Sequence, residues 1–404
     1  MKIGIHRVMS GRDFNEKHRA STPLELLFDL VYVIAIAAAV EGLHHSLAEH
    51  HMTTGIILYF QGFFFLWWAW INFTWFASAY DTDDTKYRLL TMVQMLGSLI
   101  FAAGLSYQFS EHPIYSLGLV GFIIMRIAMI FQWLRAAKED KKYRKACKRY
   151  ALGISVVQIC WIGFFLSPIE IQQWLIYVLI FAEIYVPYWA EGKQLTTTWH
   201  PHHIAERYGL LLIIVLGEGL MGISNTLKVL VEGGESWMNV IIPIGFSTVM
   251  IVFLLWWIYF QTPWGKILEK KRAQNIAFIF GYGHYFIFTS VAAVGAGLEL
   301  VADALRHTDG SSHAVSPYLA ITVLSLSIGV FLFFNTLSRL LILGKSISLF
   351  YTLLVAFTIT AIPILSIHNG LNILPTLLLN LAGVVVYLLI NSWHLCKNEL
   401  HTKY

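Results

Sequence analysis

Asp29 and Glu218 each interrupt a long apolar stretch of the chain. A carboxylate at that depth of a membrane helix costs about 2.5–3.5 kcal/mol on insertion scales unless it faces protein or water. A residue kept at that cost points to proton or cation handling, or to a structural ion pair. Glu25 precedes Asp29 by one helical turn, so the two acids share a face. Glu25 also closes the run Thr22-Pro23-Leu24-Glu25, a capping box in which hydroxyl and carboxylate satisfy the first free N–H groups of a helix. That gives Glu25 a purely local role as an alternative to a functional one. In the second half of the chain, His203, Arg207, Glu218 and Asn225 fall on one helical stripe. Gly217, Gly219 and Gly222 surround the acid and permit close helix approach. The other reading of this stripe is a buried polar strut.

Further polar residues sit in apolar surroundings. Arg126 needs a neutralising partner, for which Asp29, Glu25 and Glu183 are the candidates. His284 reads as a hydrogen-bonded core residue rather than a ligand. Asp84 and Arg88, spaced i,i+4, are expected to pair at a helix start. Glu206 lies beside Arg207. Two histidine clusters, one at His44, His45, His50 and His51, the other at His200, His202 and His203, match neither HExxH nor any paired-Cys pattern. No metal or cofactor is therefore assigned. Cys147, Cys160 and Cys396 have no ligand or disulfide spacing. Walker A and GxSxG motifs are absent and no GxGxxG stands in a strand-turn-helix context, so no catalytic residue is assigned.

The elements that must position these residues are membrane helices. The 404 residues are 57% hydrophobic and 13% charged, against about 25% charged in a soluble domain. This excludes a disordered chain, a nucleic-acid binder and an ordinary soluble enzyme. Apolar segments run near 22–43, 55–80, 89–108, 114–134, 150–167, 171–190, 204–227, 238–261, 273–300, 315–338, 347–366 and 371–393. The expected fold is an all-α polytopic membrane protein with twelve transmembrane helices. The N-terminus, the even-numbered loops and the C-terminus, with Arg207 at the start of the seventh segment, hold 25 of the 28 Lys and Arg residues. By the positive-inside rule both termini are cytoplasmic. This count places Arg339 in the loop after the tenth segment.

A shift of 189 residues superimposes Trp67, Trp68 and Trp75 on Trp256, Trp257 and Trp264, Asn72 on Gln261, and Asp29 on Glu218. Two tandem six-helix repeats follow, 1–195 and 196–404. An even helix number gives both the same orientation, hence a pseudo-twofold axis along the membrane normal.

The run from Thr22 through Glu25, Leu27, Phe28 and Asp29 to Val33 resembles the opening signature of the bacterial low temperature requirement protein A (LtrA) family. Asp81-Thr82-Asp83-Asp84 with Tyr87-Arg88-Leu89-Leu90 resembles its second motif. His203-Ile204-Ala205-Glu206-Arg207-Tyr208, continuing to Gly217-Glu218, resembles its third. Leu27 stands where the family usually has Phe, and Gly219 where Ser is expected, so no hydroxyl follows Glu218. The resemblance marks Glu25, Asp29, Asp84, Arg88, Glu206, Arg207 and Glu218 as motif positions. It implies a multi-spanning bacterial inner-membrane protein linked to growth in the cold, and brings no substrate.

The residues and the repeat together favour a transporter of a small solute or ion. In this reading Asp29 and Glu218 sit between the repeats, tuned by Arg207 and Arg126. The partners expected are the lipid bilayer and a small solute or ion, with no nucleic acid; a homo-oligomer is compatible. The alternatives are a non-catalytic membrane scaffold or sensor, in which Asp29 and Glu218 form closed ion pairs, and a lipid-modifying enzyme with a pocket near Asp84, Arg88 and His203.

Overall fold

The computed structural model describes residues 6–13, 16, 19–109, 115–192, 197–271, 274–306, 315–344 and 347–402; the side chains at 169, 274, 347–349 and 394–402, Cys396 among them, lie outside the description. Among the described residues the secondary structure is helical throughout, with no strand. The long helices are α1 (Pro23–Ala48), α2 (Met52–Tyr80), α3 (Thr85–Gln108), α4 (Ser116–Glu139), α5 (Arg144–Phe165), α6 (Ile169–Glu191), α7 (Pro201–Glu232), α8 (Ile242–Phe260), α10 (Gln274–Arg306), α11 (Pro317–Leu343), α12 (Ile347–His368) and α13 (Ile373–Thr402). A π-helical turn, Trp237–Ile241, leads into α8, and a short α9 (Trp264–Lys270) follows it. Neither short element is anticipated by hydropathy.

Among the described residues eleven segments are long and apolar enough to cross a membrane: α1 to α4, α6, α7, the run Trp237–Lys270 and α10 to α13. The twelve expected spans thus become twelve long helices with eleven candidate spans. The fifth expected segment, 150–167, does form a helix. However, α5 begins with Arg144, Lys145, Lys148 and Arg149, and its apolar part starts only at Tyr150. Strong local signals set the helix starts. At α1, Thr22 N donates to Glu25 Oε2 at 2.7 Å and Glu25 N to Thr22 Oγ1 at 3.3 Å, the expected capping box. Asp84 caps α3 by accepting from Tyr87 N at 3.0 Å. Ser316 caps α11, with Pro317 at its first position.

The chain forms two compact units. One comprises Met1–Ala39 and Gly62–Arg207, the other Val40–Gln61 and Tyr208–Tyr404. Both α1 and α2 therefore contribute residues to each unit, as does α7. The first unit has an aromatic core: Phe65 meets Phe101, Phe122 and Trp161, and Trp133 stacks on Tyr150 with ring centroids 4.1 Å apart. Its α3–α4 contact is made by small residues, with Gly97, Gly104 and Gly121 facing the neighbouring backbone and Gly118 facing the Gln108 side chain. In the second unit Gly297 lies against the backbone of Leu324, joining α10 to α11.

A side chain on Gly121 would meet the backbone of Phe101 and Gly97, neither of which can rotate aside. Gly121→Val is expected to lower stability by about 3 kcal/mol or more. Gly163 has nothing within 4 Å of a Cβ position, and Gly163→Ala is expected to be neutral or stabilising by up to about 1 kcal/mol. Thermal unfolding of the purified variants measures the difference.

Candidate functional site

The first unit brings four of the expected residues together. Glu25 and Asp29 project from α1, His203 and Arg207 from α7, and all four are fully buried. Arg207 grips Asp29 through one edge of its guanidinium: Nε donates to Oδ2 at 3.1 Å and Nη2 to Oδ1 at 2.5 Å. Trp70 Nε1 from α2 donates to Asp29 Oδ1 at 2.8 Å. Arg207 Nη1 lies 3.2 Å from Glu25 Oε1, and His203 Nε2 lies 3.1 Å from the same oxygen. Arg19, from the segment before α1, adds a guanidinium 3.6 Å from Glu25 and 4.0 Å from Asp81, while its Nη2 donates to Ala77 O at 2.8 Å. Two arginines thus balance Glu25 and Asp29 in a water-excluded cluster. Glu206 faces the other way and accepts from Ser21 N at 3.2 Å.

Arg126 and Glu183 form a second buried pair in this unit. Among the three candidate partners, the one that Arg126 meets is Glu183, at 2.7 Å. Glu183 also accepts from Trp68 Nε1 at 2.9 Å, Gln158 Nε2 at 3.0 Å and Trp161 Nε1 at 3.3 Å, so both of its oxygens are fully used. Asp84 and Arg88 do not pair with each other, contrary to the helical-spacing expectation. Asp84 is occupied by the α3 cap and by Arg135, whose Nη1 donates to Oδ1 at 2.8 Å. Arg88 turns back to Asp83, Nε and Nη2 each donating at 2.8 Å. The turn is possible because Asp83 adopts φ 48° and donates its N–H to Asp81 Oδ1. Left-handed backbone is accessible to Asp in such an Asx turn. The N-terminal segment crosses the same end of the unit: Arg7 N donates to Asp84, Met9 N to Glu139 and Gly11 N to Asp140.

Glu218 and Asn225 belong to the second unit. Gly222 approaches the carbonyl of Gly295 so closely that α7 and α10 touch through backbone, and Gly295 in turn faces the Cβ of Glu218. Thr226 Oγ1 reinforces the crossing by donating to Leu298 O at 3.2 Å. Of the three glycines expected to admit a neighbour, Gly222 does so; Gly219 faces Val252, and Gly217 faces nothing within 4 Å. Among the described residues Glu218 has no hydrogen-bond or ion-pair partner; its electrostatic neighbour is another carboxylate, Glu299. Glu299 accepts from Asn225 Nδ2 at 3.5 Å and lies 3.5 Å from His44 Nδ1, and His44 Nε2 is 2.7 Å from Asp303. His284 is a core residue of this unit, bonded to Tyr259 OH at 3.0 Å and to the Phe280 carbonyl at 2.6 Å. Among the described residues no three His, Cys, Asp or Glu side chains assemble as a metal site.

The chain matches the profile of the bacterial low temperature requirement A protein (LtrA) over residues 20–390. It belongs to this family. It is also 27% identical over 299 residues to an uncharacterized protein of Rhizobium meliloti (strain 1021), covering 69% of this chain and 70% of that one. The matched family range contains every residue of the Glu25–Asp29–His203–Arg207 cluster.

Several members of these sites in the LtrA-family chain are not singled out by sequence. Glu299 and Asp303 carry the same signal as Asp29, an acid at the end of an apolar segment. His44 reads only as part of an outer-loop cluster. Trp70, Trp68, Trp161 and Gln158 read as ordinary core residues, because nothing in a tryptophan's sequence position reveals which carboxylate its N–H will meet.

Outside the spans, burial and the negative charge of Glu25 push the Asp81 carboxyl up to about 6. Burial also raises Asp84, but bonds from Arg135 and from the N–H groups of Tyr87 and Arg7 outweigh it and hold Asp84 well below the usual carboxylate range. Burial lowers His200. A carboxyl raised in the folded state favours folding at low pH and loses that contribution as pH rises through its folded value. Asp81→Asn is therefore expected to stabilise the protein at pH 7–8 by up to about 3 kcal/mol, an advantage that fades toward pH 4. Arg207→Gln removes the counter-charge of two buried carboxylates and is expected to cost about 3–5 kcal/mol. Unfolding curves of both variants over pH 4–8 measure these effects.

Proposed function

We propose that this protein is a membrane transporter for a small solute or ion, coupled to protons or cations, with Glu218 as the residue that takes up and releases the coupling charge. The observation that carries this reading is the isolation of Glu218: a half-buried carboxylate in a candidate membrane span, with no cationic partner among the described residues and with Glu299 beside it. Such a carboxylate is unstable as a permanently bare anion, so binding a proton or a cation relieves both burial and repulsion. His44, Asn225 and Asp303 extend the polar path on the Glu299 side. Asp29 takes a different part in the proposal: clamped by Arg207 and Trp70, it holds α1 and α7 together within its unit rather than exchanging a charge. The proposal includes two tandem six-helix repeats about an axis along the membrane normal, both termini on the cytoplasmic side of a bacterial plasma membrane, and a contribution to growth at low temperature.

A second reading is favoured by one observation. The closed pairing of Asp29 with Arg207 and Trp70 is what a non-catalytic scaffold or sensor needs. A lipid-modifying centre at Asp84, Arg88 and His203 has less support, since each of the three is taken by a separate partner.

The two readings part in proteoliposomes on a solid-supported membrane, under proton, sodium, potassium and mixed-solute jumps. Transport predicts a current that falls at least tenfold in Glu218→Gln, with unfolding temperature unchanged because no partner is lost. An undiminished current in that variant overturns the role of Glu218. No current from folded wild-type protein under any gradient leaves the scaffold.

A further inference from the structure

Arg339 is expected from hydropathy to lie in a loop. In the structure α11 continues to Leu343, and Arg339 is 1% exposed. Its environment differs from that of every other deeply buried arginine here. Arg207 meets Asp29 and Glu25, Arg126 meets Glu183, and Arg19 meets Glu25. Among the described residues Arg339 meets no carboxylate. Its Nη1 donates to Asn391 Oδ1 on α13. From there the chain of partners is neutral: Asn391 Nδ2 donates to Gln261 Oε1 at 2.7 Å, and Gln261 Nε2 to Ser392 Oγ at 2.6 Å. The hydroxyls of Thr336 and Tyr387 bond to each other.

The unused edge is informative. Nε of Arg339 is buried without a hydrogen-bond partner, and no described residue accepts from Nη2. That Nε–Nη2 edge is the one with which Arg207 holds Asp29, Arg88 holds Asp83 and Arg12 holds Glu16. It matches two oxygens of a planar or tetrahedral oxyanion. The negative end of α11 does not substitute for an anion, because Lys271 Nζ already occupies its last carbonyls, donating to Ile342 O at 2.8 Å and Leu343 O at 3.0 Å. A guanidinium cannot shed its proton, so a buried one calls for a counter-charge.

We propose that Arg339 is the core of an oxyanion-binding site in the second unit, taking a carboxylate or phosphate group on its Nε–Nη2 edge, with Asn391 and Gln261 holding the guanidinium in place. The group can come from a free anion or from the phosphate of a lipid headgroup. The site is independent of Glu218 and of the transport reading.

The full chain in nanodiscs provides the test, read by thermal unfolding. One arm uses phosphatidylcholine discs with inorganic phosphate or acetate added against chloride at matched ionic strength. The other uses phosphatidylglycerol discs without added oxyanion. A free-anion source raises the wild-type unfolding temperature by several degrees in the first arm. A lipid source raises it in phosphatidylglycerol discs and leaves no response to added anion. In either case Arg339→Gln loses the effect. Asn391→Asp, which supplies an internal carboxylate to the guanidinium, is expected to abolish it too while remaining folded; Gln261 can turn its amide to donate. That second variant decides the matter if Arg339→Gln does not fold. A wild-type protein indifferent to both arms, or an Asn391→Asp variant that responds as wild type does, overturns the proposal.

Discussion

A charge inside a membrane helix must meet an opposite charge, and the grip of Arg207 on Asp29 and Glu25 is where this constraint is met most fully. Removing ions from water costs several kcal/mol each even after relaxation, so close geometry and complete hydrogen bonding are needed to offset it. Asp29 meets both conditions, its two oxygens engaged by one guanidinium edge and by Trp70, while the remaining Arg207 nitrogen, Nη1, faces Glu25 Oε1 as an ion pair without a hydrogen bond. The pairing ties the start of α7 to the start of α1. It also explains the path of the segment before α1, since Arg19 must come close for Glu25 to be balanced.

The same constraint sorts the remaining intramembrane charges. Arg126 and Glu183 satisfy it within one pair, supported by two tryptophans and a glutamine. Glu218 and Arg339 do not satisfy it with protein groups among the described residues. One is a carboxylate beside a carboxylate, the other a guanidinium among amides and hydroxyls. The buried Glu191 also lacks an ion-pair partner among the described residues but accepts from Tyr150 at 3.1 Å and Thr197 at 2.9 Å, whereas Glu218 has no such donor among them. This is why the proposed function rests on Glu218 rather than on Asp29, although the repeat offset presents the two as equivalents.

Charge spacing along the chain proved a weaker guide than charge burial. Asp84 and Arg88 have suitable helical spacing, yet Asp84 is more valuable as the cap of α3 and the partner of Arg135 on α4. The left-handed turn at Asp83 then brings a different carboxylate to Arg88. Arg339 shows the converse error. An arginine at the end of an apolar run reads as the start of a loop, whereas helix continuation to Gly344 carries it into the core.

The sequence by itself determined the long helices, the cap of α1 and the family, because apolar run length, the Thr22–Glu25 box and motif spacing are properties of neighbouring residues. It also marked Glu25, Asp29, Arg207 and Glu218 as unusual, because the cost of a charge in an apolar run needs no knowledge of its partner. Only the tertiary structure decided which of these charges are matched. The partner of Asp29 lies 178 residues away along the chain, and that of Arg126 is chosen among Asp29, Glu25 and Glu183 by the packing of α5 against α4 and α6. Pairing at such separations depends on which helix faces meet. That is set by the glycine contacts and aromatic packing of whole helices rather than by any local pattern.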